Sequence, residues 1–483
     1  VRRDLGDFQT PPALVSAVLD RLDTLGIPRT RVIEPTCGRG NVLAGLFDRA
    51  NPPREAFGFE IQADHLAEAR QAIAAGSSHL SLAQADVFSI NLGTLPWRES
   101  GPLLVVGNPP WVTSAELGRL ASENRPARTA IEGLSGLDAR TGRANFDLAE
   151  AVWQKLINEL DEPGATIALL CKTATARNVL RWSVVARRRV ASASLYRIDA
   201  RRWFSAAVDA CLFVVRLGDA PGTIRAPVYP DLGSDTPETT IGVVDGLLVA
   251  DMTAFEQASS AFGLCPLTWR QGVKHDAAAL MELTESDGTL WNGLGEPVDV
   301  EPEHVFPLWK GVDLAGRSAG SAGRRVIVTQ RSLGDDTGTL AERSPRLHSY
   351  LDRHAVAFAA RKSKVYARRP PFVMFGVGDY TFAPYKVAIP GLHKAVPFRA
   401  IGPVDGFPPL LDDTCYFLPC ATAHEAERIA RKLNSPKAHA LIDSLRFADA
   451  KRPITKAILQ RIDLDRLDDP LTQRPLASPA RVE

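Results

Sequence analysis

Residues 103–111 read Leu103-Leu104-Val105-Val106-Gly107-Asn108-Pro109-Pro110-Trp111, an apolar strand that runs directly into an Asn-Pro-Pro-aromatic turn. Two successive prolines remove backbone donors and fix φ, so the turn is stiff and its carbonyls point outward. Asn108 adds a side-chain carbonyl and Trp111 a flat apolar face. Such a set suits a planar ring that bears an exocyclic amine: two carbonyls accept its N–H groups and the indole stacks on the ring. Taken alone, the tetrapeptide is also how an ordinary strand ends, so its neighbours have to decide between the readings.

Those neighbours lie upstream. Arg31-Val32-Ile33 is a short apolar strand followed by Glu34-Pro35-Thr36-Cys37-Gly38-Arg39-Gly40-Asn41 and an apolar-periodic helix from Val42 to Phe47. Strand, glycine turn and helix together let a ligand lie against bare backbone at a helix N-terminus. A second strand, Phe57 to Ile61, carries Glu60 about twenty residues on, where nucleotide-type folds place an acid on the ribose hydroxyls. A third strand region ends at Ala85-Asp86-Val87-Phe88, and an Asp among apolar residues suits the amine of a sandwiched adenine. All four elements fall at strand C-terminal ends, where open α/β sheets bind ligands. Four unrelated turns in this order would be an unusual coincidence.

These residues resemble a class I S-adenosylmethionine-dependent methyltransferase, in particular the amino-methylating DNA methyltransferases of the gamma arrangement. That family's Thr-Pro-Pro segment is matched by Thr10-Pro11-Pro12, ahead of a helix from Ala13 to Leu22, and its Glu-Pro-x-x-Gly-x-Gly loop by Glu34, Pro35, Gly38 and Gly40. The resemblance implies cofactor contacts at Thr10, Pro11, Glu34, Pro35, Thr36, Gly38, Gly40, Glu60, Ile61, Asp86, Val87 and Asn108. It makes Asn108, Pro109, Pro110 and Trp111 the catalytic turn. Asn at its first position resembles adenine-N6 enzymes more than cytosine-N4 enzymes, which usually carry Ser, while Trp at the fourth replaces the more frequent Tyr or Phe and removes a hydroxyl. Thr113 to Arg143 resembles the mobile loop near the target base. Asn145-Phe146-Asp147 opens a helix to about Leu160, and Pro163-Gly164 turns into a buried strand from Thr166 to Cys171. Arg202 to Asp209 echoes the family's late hairpin before a strand from Ala210 to Leu217, so Phe204 is expected to stack on the flipped base opposite Trp111. The resemblance spans roughly residues 7 to 217.

Length and composition agree with this. A chain of 483 residues holds two or three domains, and 23% charged and 7% aromatic residues are ordinary for a soluble globular protein. The net charge of +1 neither demands nor excludes nucleic acid. Six scattered cysteines form no C-x-x-C pair and no zinc spacing, so reduced thiols, no metal and a cytoplasmic location are expected, and the resemblance implies a prokaryotic one. No apolar run reaches membrane-spanning length. Val1 suggests that an initiator or a short leader precedes it.

Gly218-Asp219-Ala220-Pro221-Gly222 reads as a boundary. The expected organisation is an α/β, class I (Rossmann-like) methyltransferase domain over 1–218, an α+β target-recognition domain over 219–470, and a flexible tail over 471–483. Between Arg343 and Arg399 eleven Lys/Arg stand against two Asp/Glu, interleaved with aromatics, and Arg177 to Arg202 holds eight Arg against one Asp. Charge runs are usually solvated faces, but two of them flanking a base-modifying site favour double-stranded DNA as partner. Arg361, Lys362, Lys364, Arg368, Arg369, Tyr380 and Lys386 are the expected DNA contacts, and His424 to about Leu464 reads as helices.

The implied reaction is direct transfer of a methyl group from S-adenosylmethionine, leaving S-adenosylhomocysteine, to adenine N6. A Pro-Cys nucleophile of cytosine-C5 type is not expected, since Pro419-Cys420 lies far downstream. The same turn also occurs in methyltransferases of RNA bases and of protein glutamine, and a non-catalytic DNA-binding protein on the same scaffold is a further reading. A fused nuclease is not expected, because the chain begins almost at Thr10-Pro11-Pro12; a separately encoded restriction endonuclease is compatible with the sequence.

Overall fold

In the computed structural model, which describes residues 9–73, 79–112, 147–222, 224–316, 323–366, 369–393 and 397–468, the opening apolar run is strand β4 (Leu103–Gly107), buried along its whole length. It lies between β1 (Arg31–Glu34) and β5 (Thr166–Lys172), parallel to both. Beyond β1 come β2 (Glu55–Glu60) and β3 (Leu80–Gln84), also parallel. Central strands covered on both faces read as continuous apolar runs, whereas edge strand β3, Leu-Ser-Leu-Ala-Gln, alternates and is half exposed.

Beyond β5 the direction changes. β7 (Ala210–Leu217) pairs antiparallel with β5 and with β6 (Val190–Ile198), which gives the order β3-β2-β1-β4-β5-β7-β6. The sheet does not stop there: β8 (Arg225–Tyr229), β9 (Thr239–Val244) and β10 (Leu247–Val249) extend it to ten strands. The Gly218–Gly222 turn therefore ends a strand inside the sheet, and the first compact unit runs to Thr253.

Local chemistry sets the helix boundaries. α1 (Pro12–Thr24) starts with proline at its first position, where the missing N–H is not needed. α2 (Asn41–Phe47) and α3 (Ala63–Ala72) follow β1 and β2. α4 (Leu148–Glu159) is N-capped by Asp147, whose carboxylate accepts from Ala149 N–H at 3.0 Å. α5 (Thr173–Val185) and α6 (Ala200–Phe204) complete the unit. Leu14, Val18, Leu43, Leu104, Val106, Leu170 and Leu212 belong to one core cluster of the sheet and its helices.

The second unit, from Ala254 onward, is α+β. It holds a four-stranded sheet in the order β11 (Arg270–Gln271), β20 (Cys415–Cys420), β17 (Tyr385–Pro390), β18 (Arg399–Ile401). A six-stranded sheet runs β14 (Pro297–Val298), β13 (Thr289–Trp291), β12 (Glu282–Ser286), β16 (Arg324–Ile327), β15 (Val305–Trp309), β19 (Leu410–Leu411). Helices Ala423–Leu433 and Pro436–Leu445 occupy the stretch expected to be helical. All six cysteines are buried free thiols, and among the described residues no helix is long and apolar enough to cross a membrane.

Lys386 corrects an expectation. It sits in the middle of the four-stranded sheet with 0% exposure, its ammonium donating to Ala383 O at 2.7 Å, so it is a core lysine rather than a phosphate contact. Burial pushes its pKa down to about 7, against a small opposing pull from Cys420. The unfolded chain therefore binds more protons than the folded one between pH 7 and about 10.5, and stability rises with pH across that window. Lys386→Met is expected to flatten this rise, as read by denaturant midpoints at pH 7, 8.5 and 10. Parallel pH slopes in the two proteins would refute it.

Candidate active site

Glu34 leaves the end of β1 and the chain turns sharply through Cys37-Gly38-Arg39-Gly40 into α2. Gly38 (φ 53°) and Gly40 (φ 79°) are both left-handed, and a Cβ on Gly40 would stand 2.9 Å from that of Ala69. Glu60, at the end of β2, holds the loop from below. One carboxylate oxygen accepts from Gly38 N–H at 2.9 Å and the other from Gln62 N–H at 2.8 Å. The N-terminal segment is sewn to the same loop: Asn41 donates to Thr10 O at 2.8 Å, and Gln9 accepts from Arg39 N–H at 3.0 Å.

These elements bound a cleft of about 1050 Å³, counting the open solvent at its mouth. Of the expected cofactor residues, Thr10, Glu34, Pro35, Thr36, Gly38, Glu60, Ile61, Asp86, Val87 and Asn108 line it; Pro11 and Gly40 shape it without lining it. Asp86 accepts from Phe88 N–H at 2.9 Å, which fixes the carboxylate at the rim. Asn41, Phe59, Leu148 and Val152 also line the cleft and were not singled out from the sequence. Leu148 and Val152 sit one helical turn apart on the buried face of α4, a pattern indistinguishable from ordinary core.

The cleft contains acceptors that the protein leaves unused. Glu34 is buried, and one of its carboxylate oxygens has no hydrogen-bond partner among the described residues; nor has Thr36 Oγ1. Burial raises the Glu34 pKa well above the carboxylate range, the nearby Glu60 adds to this, and a hydrogen bond from Leu43 N–H opposes it. Buried polar atoms normally find partners, so these atoms suit a ligand that brings N–H or O–H donors. S-adenosylmethionine, with an ammonium group, two ribose hydroxyls and an adenine amine, fits that requirement. No group of three or more His, Cys, Asp or Glu able to hold a metal occurs among the described residues.

Past β4, Asn108 and Pro110 open onto the cleft, while Trp111 turns inward. The indole N–H donates to Leu170 O at 3.3 Å, and the ring meets Phe204 edge-to-face at 5.1 Å and 73°. This differs from the expected pair of open stacking faces. Trp111 and Phe204 both belong to the core cluster and cover each other, so a base enters between them only if the rings part.

The expected DNA contacts divide. Lys362 and Arg369 are exposed. Arg361 is engaged in the fold: its guanidinium donates to Phe358 O and Val373 O and lies 3.8 Å from the Tyr366 ring centre. Tyr380 is half-buried beneath the Arg270 guanidinium. The Lys364 side chain, Arg368, the Thr113–Arg143 loop and the 471–483 tail lie outside the described residues.

A mainly parallel sheet whose strands β1, β2 and β4 deliver a glycine loop, an acid and an Asn-Pro-Pro turn to one cleft defines a class I methyltransferase. No family model matches the chain. Across 464 residues it is 34% identical to the type II methyltransferase M.NspV of Nostoc sp., covering 96% of both chains, and it belongs to the type II methyltransferases of restriction-modification systems. The solved structure of the type IIL restriction-modification enzyme MmeI in complex with DNA shares the fold: TM-score 0.57 at 11% identity, over 95% of this chain and 68% of that one. A DrdV–DNA complex aligns over 86% of this chain and 49% of that one, at 12% identity and a TM-score of 0.46.

Proposed function

We propose that the protein methylates N6 of an adenine turned out of duplex DNA, with S-adenosylmethionine as donor. What carries the reading is the convergence of Asn108, Glu60 and Asp86 on one cleft, with the stiff Pro109-Pro110 turn beside them. When bound, the donor supplies a methyl group on an electron-poor sulfonium; the rest falls to this chain. Glu60 is suited to the ribose hydroxyls and Asp86 to the cofactor's adenine amine. The Asn108 side-chain carbonyl and the Pro109 carbonyl accept the two hydrogens of the target amine.

An aromatic amine is a poor nucleophile because its lone pair is delocalised into the ring. Holding both N–H bonds favours a pyramidal nitrogen and points its lone pair at the methyl carbon, so orientation supplies much of the acceleration. The N–C bond forms as the S–C bond breaks, and the amine proton leaves to solvent. A base inside a duplex cannot reach this cleft, so it must leave the stack at a cost of a few kcal/mol. Parting Trp111 from Phe204 offers the extruded ring apolar surface in exchange. The large α+β second unit, with exposed Lys362 and Arg369, is the natural reader of duplex sequence.

The test is methyl transfer from labelled S-adenosylmethionine to unmethylated genomic DNA, with nucleoside analysis and modification-sensitive sequencing. N6-methyladenine in one sequence context is the expected result. Label on cytosine, on RNA or on protein would overturn the assignment.

A further inference from the structure

We infer that Lys172 is a positioning residue for the Asn108–Trp111 turn, an inference that rests on that turn being the site of transfer. With prolines at 109 and 110 the turn lacks two backbone donors, which narrows the ways it can be tied to the sheet. The neighbouring strand β5 supplies two ties, the main-chain carbonyl of Leu170 and the side chain of Lys172. Leu170 O accepts from the Trp111 indole at 3.3 Å, and the Lys172 ammonium donates to Trp111 O at 2.8 Å. One bond therefore holds the tryptophan side chain and the other its backbone.

The ammonium is itself held. Asp147 accepts from Lys172 Nζ at 2.9 Å through one carboxylate oxygen, while the other caps α4. Leu148 N–H donates to Val112 O at 2.9 Å, so the chain immediately after the turn is bonded to the start of the helix that lines the cleft. Lys172 is 24% exposed and Asp147 12%, which leaves the pair sheltered enough for a charge-assisted bond to keep its strength. The arrangement links the turn that grips the amine to the helix that bounds the cofactor. A displacement of about 1 Å at such a turn can cost on the order of 10²-fold in rate.

Removing the ammonium alone would strand a sheltered carboxylate and risk unfolding. The informative variant is therefore Lys172→Met combined with Asp147→Asn, because asparagine caps a helix as well as aspartate. Measured on the full chain, it is expected to lose about 10²-fold in single-turnover methyl transfer, with KM for DNA and affinity for S-adenosylhomocysteine held within about threefold. Lys172→Arg should recover at least about tenfold of that loss. Hydrogen exchange at the Trp111 indole and the Leu148 amide, which donate to Leu170 O and Val112 O, should quicken in the double variant. A rate within threefold of the parent, or parallel loss of rate and cofactor affinity, overturns the inference. If the parent protein modifies no nucleic acid, the proposed function fails, and the exchange readout still decides Lys172: unchanged protection refutes its hold on the turn.

Discussion

Asn108→Ala is expected to stop methyl transfer while the cofactor still binds. The side chain stands at the end of a strand buried from Leu103 to Gly107, so truncation leaves the backbone of the turn in place. What is lost is the acceptor proposed for one amine hydrogen. In sites where fixed polar groups act on the reacting centre, deleting one such group costs on the order of 10²–10³ in kcat. Here the loss should reach or exceed the top of that range, because Pro109 O alone cannot set the direction of the amine lone pair. Asn108 is one of many residues lining the cleft, so affinity for S-adenosylhomocysteine should fall by less than about tenfold. The comparison needs single-turnover rates beside calorimetric affinities, and retention of most of the rate would sink the catalytic assignment.

Glu60→Ala should do the converse, and its effect is the second largest we expect. Each oxygen of this buried carboxylate already accepts a backbone N–H, from Gly38 and Gln62, and the residue lines the cleft. On its proposed role, alanine would delete charge-assisted contacts to the ribose, worth about 1.5–3 kcal/mol apiece, and would free the loop at Gly38. Binding of S-adenosylmethionine and its product should weaken by on the order of 10²-fold. The maximal rate at saturating cofactor should change far less. The opposite pattern, an intact affinity with a collapsed rate, would assign Glu60 to the chemistry instead of to the ribose.

The site was legible in the sequence because its parts sit where strands end. Asn108 follows the apolar run Leu103–Gly107 and Glu60 the run Ala56–Phe59, strands buried on both faces and so easy to delimit, while Glu34 ends the short Arg31-Val32-Ile33 strand and Asp86 follows an alternating edge strand. Ala210–Leu217 is a strand over the residues that its apolar run marks. Turn chemistry misled in one place: Gly218 to Gly222 closes a strand, but glycine and proline mark the end of an element and carry no information on whether the sheet goes on. Three more strands follow. Composition misled at Lys386, since a count of basic residues does not record which face of a strand each occupies. The meeting of Trp111 with Phe204, and of Lys172 with Trp111, joins residues 93 and 61 positions apart, and no local pattern encodes either contact.

The burial of all six thiols makes the folded protein nearly inert to maleimides and related probes. A single cysteine introduced on the surface, for example Arg369→Cys, would thus carry a fluorophore or spin label at one defined place. Without it, the pace at which the native thiols become reactive would be a direct clock for the opening of the two cores.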